Sequence, residues 1–146
     1  MPHLVLLYTP ELEQETDMSA LCRALADTML EQRDEAGKAV FPTGGTRVLA
    51  YPAAHSAVAD GKGDYGFCYA NLRMGSGRSQ AVPQAVGDSL LAVLRTHLEP
   101  ILQRRPVGIT VPLQVGVLQF PIPSALRCYK LGLALTPAIP TVDTTP

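Results

Sequence analysis

The sequence has few of the residues that mark several large classes of protein. It contains no tryptophan and only three cysteines among 146 residues. Cys22, Cys68 and Cys128 lie far apart, and the chain has neither a CxxC pair nor a Cys/His cluster. This pattern predicts free thiols in a reducing compartment rather than a disulfide framework or a zinc site.

The chain also lacks an excess of charge of either sign. Its 12 basic and 13 acidic residues give a net charge of −1, whereas nucleic-acid-binding proteins usually carry a basic surplus. The segment Met1–Leu7 has no cationic region and only a short apolar run, so it is not a signal peptide. The uncharged residues 106–126 could cross a bilayer by length, but Pro112, Pro121 and Pro123 would break the helix. We expect a cytoplasmic protein with no membrane span and no nucleic-acid partner.

Apolar residues make up 47% of the chain, enough for a buried core, and their spacing repeats in two halves. In the first half, Pro2–Tyr8 reads as a strand, Asp17 caps a helix, and Arg47–Tyr51 reads as a second strand. The helix has apolar residues four apart, at Leu21, Leu25 and Met29. Glu11–Glu15, before the cap, is acidic and is expected to be exposed.

The second half repeats the order of strand, helix and strand. Residues 64–74 form the longest strand candidate, a helix follows the Gly75–Ser79 turn and runs to about Leu102, and Val107–Val111 closes the unit. Two βαβ halves predict an α+β fold, with a four-stranded sheet and both helices on one face. The other face would be open, which favours an oligomer.

The final residues break this pattern. We assign residues 1–115 to one domain and residues 116–146 to a C-terminal tail that is apolar, contains several prolines and has only three charges. The tail fits either an extended arm on a neighbouring subunit or a disordered end, and composition favours neither.

Three residues are candidates for chemistry. Pro2 would have a free secondary amine once the initiator Met is removed, although many proteins have Pro2 for no catalytic reason. Arg47 follows Gly44-Gly45, and Arg78 follows Gly75 and Gly77 at the expected start of a helix. Glycine-rich turns and helix starts offer N–H groups to an anion, and arginine adds a planar fork for carboxylates. A solvated surface arginine is the alternative for each.

Four motifs of the chain match one known family in register: Met1–His3, Phe41–Arg47, Asp60–Gly61 with Asp64–Phe67, and Leu72–Ser79. Over roughly residues 2–111 the sequence resembles the 5-carboxymethyl-2-hydroxymuconate delta-isomerase family of the tautomerase superfamily. His97, in the second helix, also has a counterpart in that family, although by itself we interpret it as structural or exposed. The segment Glu31–Val40 is a few residues longer than in the family, and Val111–Val115 replaces a charged closing strand.

The resemblance implies a cofactor-independent isomerase in which Pro2, Arg47 and Arg78 form the active site of a homotrimer. The family's substrate is a dienol with three carboxylates, formed during homoprotocatechuate breakdown, and the reaction moves a proton along its conjugated system. Pro2 would act as base and acid, and the two arginines would bind carboxylates. Two alternatives remain open: a tautomerase of another enol acid, and a non-catalytic module that binds anions.

Overall fold

A computed structural model of the protein describes residues 2–116, which form one mixed sheet and three helices. The elements are β1 (His3–Tyr8), α1 (Leu12–Glu15), α2 (Met18–Glu31), β2 (Arg47–Pro52), β3 (Gly66–Met74), α3 (Ala81–Leu102), β4 (Val107–Thr110) and β5 (Leu113–Val115). The sheet order is β2-β1-β3-β4, and β5 also pairs with β3. β1 is parallel to β2 and antiparallel to β3, while β4 and β5 are both parallel to β3. The predicted α+β fold is confirmed.

The core lies between one face of the sheet and the two long helices. Alternate strand residues, such as Leu4 and Leu6 in β1 and Leu72 in β3, are fully buried because successive side chains point to opposite faces. The apolar stripes of α2 and α3 cover them and belong to the same cluster. The predicted stripe of α2 is confirmed, as is its cap: Asp17 Oδ1 accepts a hydrogen bond of 2.9 Å from Ala20 N–H.

The structure corrects the predicted elements in three places. The sheet gains a fifth strand, β5, because the chain continues beyond β4 in the same direction and Leu113–Val115 pairs in parallel with the end of β3. The acidic segment Glu11–Glu15 contains the helical turn α1, in which Leu12 is fully buried and Glu15 pairs with Arg105. β3 begins at Gly66, two residues later than predicted.

The face of the sheet away from the helices is left uncovered by residues 2–116. It carries the apolar residues Leu7, Leu49 and Tyr51, which are 47%, 41% and 49% exposed. Tyr69 and Asn71 of β3 lie half-buried on the same face. The predicted open face is therefore present.

No helix within residues 2–116 combines the length and apolarity needed to cross a membrane. Cys22 and Cys68 are free thiols, and burial raises the pKa of Cys68 to about 11. Cys128 and the predicted tail lie outside the described residues, apart from Gly116.

Candidate active site

Pro2 directly precedes β1 and is buried at one end of the sheet. A Cβ built on Gly45 would stand 3.6 Å from Pro2 Cδ and 3.1 Å from Pro42 Cγ. Glycine at position 45 therefore lets the turn after Phe41 approach the Pro2 ring closely. Three bonds to one carbonyl hold this turn: Gly45 N–H, Thr46 N–H and the Thr46 hydroxyl all donate to Pro42 O, at 3.0–3.1 Å.

Arg47 is the first residue of β2, immediately after this turn. Its Cα is the register partner of His3, so Arg47 begins its strand beside the residue that follows Pro2. The side chain is half-buried, and Nη1 lies 3.4 Å from the carbonyl oxygen of Gly45. The backbone that approaches Pro2 is thus also contacted by the guanidinium of Arg47.

Arg78 lies in the loop between β3 and α3. The structure corrects its expected place at a helix start, because α3 begins three residues later, at Ala81. Arg78 Nη2 donates to the carbonyl of Val40 at 2.7 Å, and Nη1 donates to that of Gly75 at 3.2 Å. The left-handed Gly77 (φ +96°) shapes the loop. Arg78 therefore joins this loop to the segment just before Phe41.

The three predicted residues are thus carried by loops and strand ends at the same end of the sheet. Pro2 and Arg47 stand at the starts of parallel strands, and the antiparallel β3 ends beside them, since His3 also pairs with Arg73. A cleft of about 510 Å³ lies between α2 and β2 and borders Arg47. Cys22, Arg23 and Thr46 are among its ten lining residues, none of which is acidic.

The electrostatics of this end favour anions. Burial, followed by the charge of Arg47, lowers the pKa of His3, and Arg73 contributes in the same direction. The five strands contain no Asp or Glu, and no group of three His, Cys, Asp or Glu side chains within residues 2–116 could hold a metal ion. The arrangement can bind a carboxylate-rich molecule beside a proline.

Sequence reasoning gave no role to the side chains of His3 and Arg73, and it did not predict that Gly45 approaches Pro2. Their positions follow from strand register and from the return of the Phe41–Arg47 turn to β1, which no local pattern reveals. His97 has a structural position, as interpreted from sequence: its Nε2 lies 3.0 Å from the carbonyl oxygen of Asp17 at the start of α2.

A family profile and a relative that each match most of the chain indicate the same family. A gallate dioxygenase of Pseudomonas putida is 67% identical over only 42 residues, which cover 29% of this chain and 12% of that protein. The sequence profile of the 5-carboxymethyl-2-hydroxymuconate isomerase family matches residues 2–119, which includes β5. The 5-carboxymethyl-2-hydroxymuconate Delta-isomerase of Escherichia coli is 25% identical over 114 residues, covering 78% of this chain and 86% of that protein.

Two solved structures support the same relationship. A 5-carboxymethyl-2-hydroxymuconate delta-isomerase has a TM-score of 0.83 at 48% identity, covering 90% of this chain and 93% of the other. A 5-carboxymethyl-2-hydroxymuconate isomerase from Deinococcus radiodurans R1 has a TM-score of 0.75 at 28% identity, with coverage of 88% and 93%.

Proposed function

Since the chain belongs to the 5-carboxymethyl-2-hydroxymuconate isomerase family, we propose that Pro2 is its acid–base catalyst and that Arg47 and Arg78 bind the substrate's carboxylates. The reaction converts a dienol to an enone without a cofactor. The observation that carries the assignment is the buried Pro2 just before β1, which the turn leading to Arg47 approaches closely, while Arg78 donates to the segment just before that turn.

The proline nitrogen can take the enol proton only if Pro2 is the first residue, because a peptide nitrogen is not basic. An ordinary α-amino group has a pKa of about 7.7–8.0, and proline's secondary amine is more basic in water. Burial and neighbouring positive charge both disfavour the protonated amine, so this site favours a free base near neutral pH. The same nitrogen then returns the proton to the far carbon of the conjugated system.

The arginines would act on the charges of the substrate. A guanidinium binds a carboxylate through two parallel hydrogen bonds and stabilises negative charge that develops on the dienolate oxygen. Arg78 already donates to Val40 O and Gly75 O, so these bonds hold its guanidinium between two loops. A preorganised cation loses little freedom when the substrate binds.

The test begins with the intact mass of the purified protein, which shows whether Met1 has been removed. Pro2→Ala retains a primary amine and should lower kcat by about 10²–10⁴-fold, the usual contribution of acid–base catalysis, while the fold is unchanged. Pro10→Ala, in the exposed turn after β1, is the matched control and should retain full turnover. Unchanged turnover in Pro2→Ala protein of confirmed mass contradicts the proposed role.

A panel of substrates separates the two alternatives from this function. Turnover of other enol acids but not of the tricarboxylic dienol would indicate a different tautomerase. Binding of the same anions without any turnover would indicate a binding module.

We further propose that the protein acts in the cytoplasm as a homotrimer, in which the open sheet faces are buried against one another. The exposed apolar side chains Leu7, Leu49 and Tyr51 on this face support the assembly, because contact with a neighbouring subunit would remove them from water. Leu7→Asp on the open face should dissociate the assembly in sedimentation experiments. Leu91→Asp, on the outer side of α3, should not. A monomeric wild-type protein rejects the trimer.

A further inference from the structure

Three nitrogen-bearing side chains form a row across three neighbouring strands, at the end of the sheet where Pro2 lies. The Cα of His3 in β1 is the register partner of both Arg47 in β2 and Arg73 in β3. Their chain neighbours Leu4 and Leu72 are fully buried under the helices, so the row itself faces the open side of the sheet. It lies one residue from Pro2 and at the end of β3 that leads to the loop of Arg78.

Arg73 is without an ion-pair partner in the part of the chain that the structure describes. Its guanidinium makes no hydrogen bond or ion pair within residues 2–116, and none of the five strands contains Asp or Glu. Arg73 is exposed, and its backbone lies two strand spacings from that of Arg47, a distance of about 10 Å. Arg73 can therefore hold an anion separate from one bound at Arg47.

His3 stands beside Arg73, and the uncharged form of its ring adds no further positive charge there. Burial lowers the pKa of His3 first, and the charges of Arg47 and Arg73 lower it further, which favours that uncharged form. A neutral imidazole retains one N–H donor. Arg73 and His3 therefore offer one cation and one neutral donor to a single anion.

The chemistry of the proposed substrate needs such a group. A muconate has two carboxylates and the carboxymethyl substituent adds a third, whereas Arg47 and Arg78 account for two. We propose that Arg73, with His3 beside it, binds the third carboxylate and thereby selects for tricarboxylic substrates; this inference rests on the proposed function. Arg73 would be a substrate-binding residue with no part in proton transfer.

The test compares Arg73→Gln with the wild type on two substrates: the tricarboxylic dienol and 2-hydroxymuconate, which lacks the carboxymethyl group. Losing one charge-assisted contact should raise KM for the tricarboxylate by about tenfold or more, with less than a twofold change for the dicarboxylate. The kcat values should change little. Arg95→Gln, an exposed arginine on α3, is the matched control and should change neither.

Three outcomes of this comparison overturn the inference. Equal effects of Arg73→Gln on both substrates, or no effect on either, would show that Arg73 does not bind the third carboxylate. A smaller assembly of Arg73→Gln in sedimentation would instead place a carboxylate of a second copy against this row.

Failure of the proposed function gives a different result. If the wild type turns over neither substrate, the proposed function is wrong. Calorimetry with tricarballylate and glutarate then measures whether Arg73 and His3 bind a third carboxylate in the absence of catalysis. Binding of tricarballylate weakened about tenfold by Arg73→Gln, with glutarate unaffected, supports the subsite. Equal binding by both proteins rejects it.

Discussion

Among substitutions of charged residues, the contacts within residues 2–116 predict the largest loss of stability for the replacement of Arg105. Its side chain is only 7% exposed. Nη2 lies 2.5 Å from Glu15 Oε2, Nε donates to the same oxygen at 3.1 Å, and Nη1 lies 3.3 Å from Asp64 Oδ1. These contacts join α1 to the segment after α3, at the opposite end of β1 from Pro2.

The magnitude follows from the burial of the two partners. Removing one member of a fully buried ion pair costs about 3–5 kcal/mol, because the other charge is left without compensation. Glu15 is 22% exposed and so keeps some water, which places the cost of Arg105→Gln below that range, at about 2–3 kcal/mol. Asp64, at 76% exposed, adds little.

The next residue supplies a matched control. Arg104 also reaches Glu15, at 3.4 Å, but its side chain is 61% exposed. Arg104→Gln should therefore cost between zero and about 1 kcal/mol, the usual range for a solvated ion pair.

Urea denaturation at one fixed protein concentration measures both variants, since oligomers gain stability with concentration. With an m-value of about 1.5–2 kcal/mol/M, Arg105→Gln should lower the urea midpoint by about 1–2 M. Arg104→Gln should shift it by much less. Equal shifts for the two variants would refute the inference that burial determines the difference.

The same pair predicts the pH dependence of stability. The hydrogen bonds from Arg105 are the main cause that lowers the pKa of Glu15 below its usual 4.5. A carboxyl with a lowered pKa stabilises the folded state fully above about pH 4.5, and this contribution is lost as the pH falls through the folded-state value. Arg105→Gln should reduce the loss of stability over that acidic range, as measured by urea midpoints at several pH values.

Three further predictions concern other parts of the fold. Gly45→Ala should lower kcat/KM because its Cβ would crowd Pro42 and Pro2, whereas Gly44→Ala, with no atom within 4 Å, should not; equal activities would contradict this. Asp17→Ala should cost about 1 kcal/mol in urea denaturation through loss of the cap of α2, with Asp17→Asn restoring most of it. Leu94→Ala, at a fully buried position, should cost about 2–5 kcal/mol, and a loss below 1 kcal/mol would mean that the core closes over the cavity.

The sequence by itself determined most of the elements and singled out the candidate residues of the site. Apolar spacing of four residues places the buried stripe of α2, and alternation places the buried face of β3, because both patterns are local consequences of backbone geometry. Pro2, Arg47 and Arg78 could be singled out because the second position and the glycine-rich turns are visible in the chain.

Only the tertiary structure decided which residues meet. The partner of Arg78 is the carbonyl of Val40, 38 residues away, and Arg105 rather than Arg104 is the buried member of two adjacent arginines. The row beside Pro2 exists because β1 pairs with β2 and β3 in one particular register. A shift of one residue would move every side chain of a strand to the other face, and the packing of the whole core selects the register.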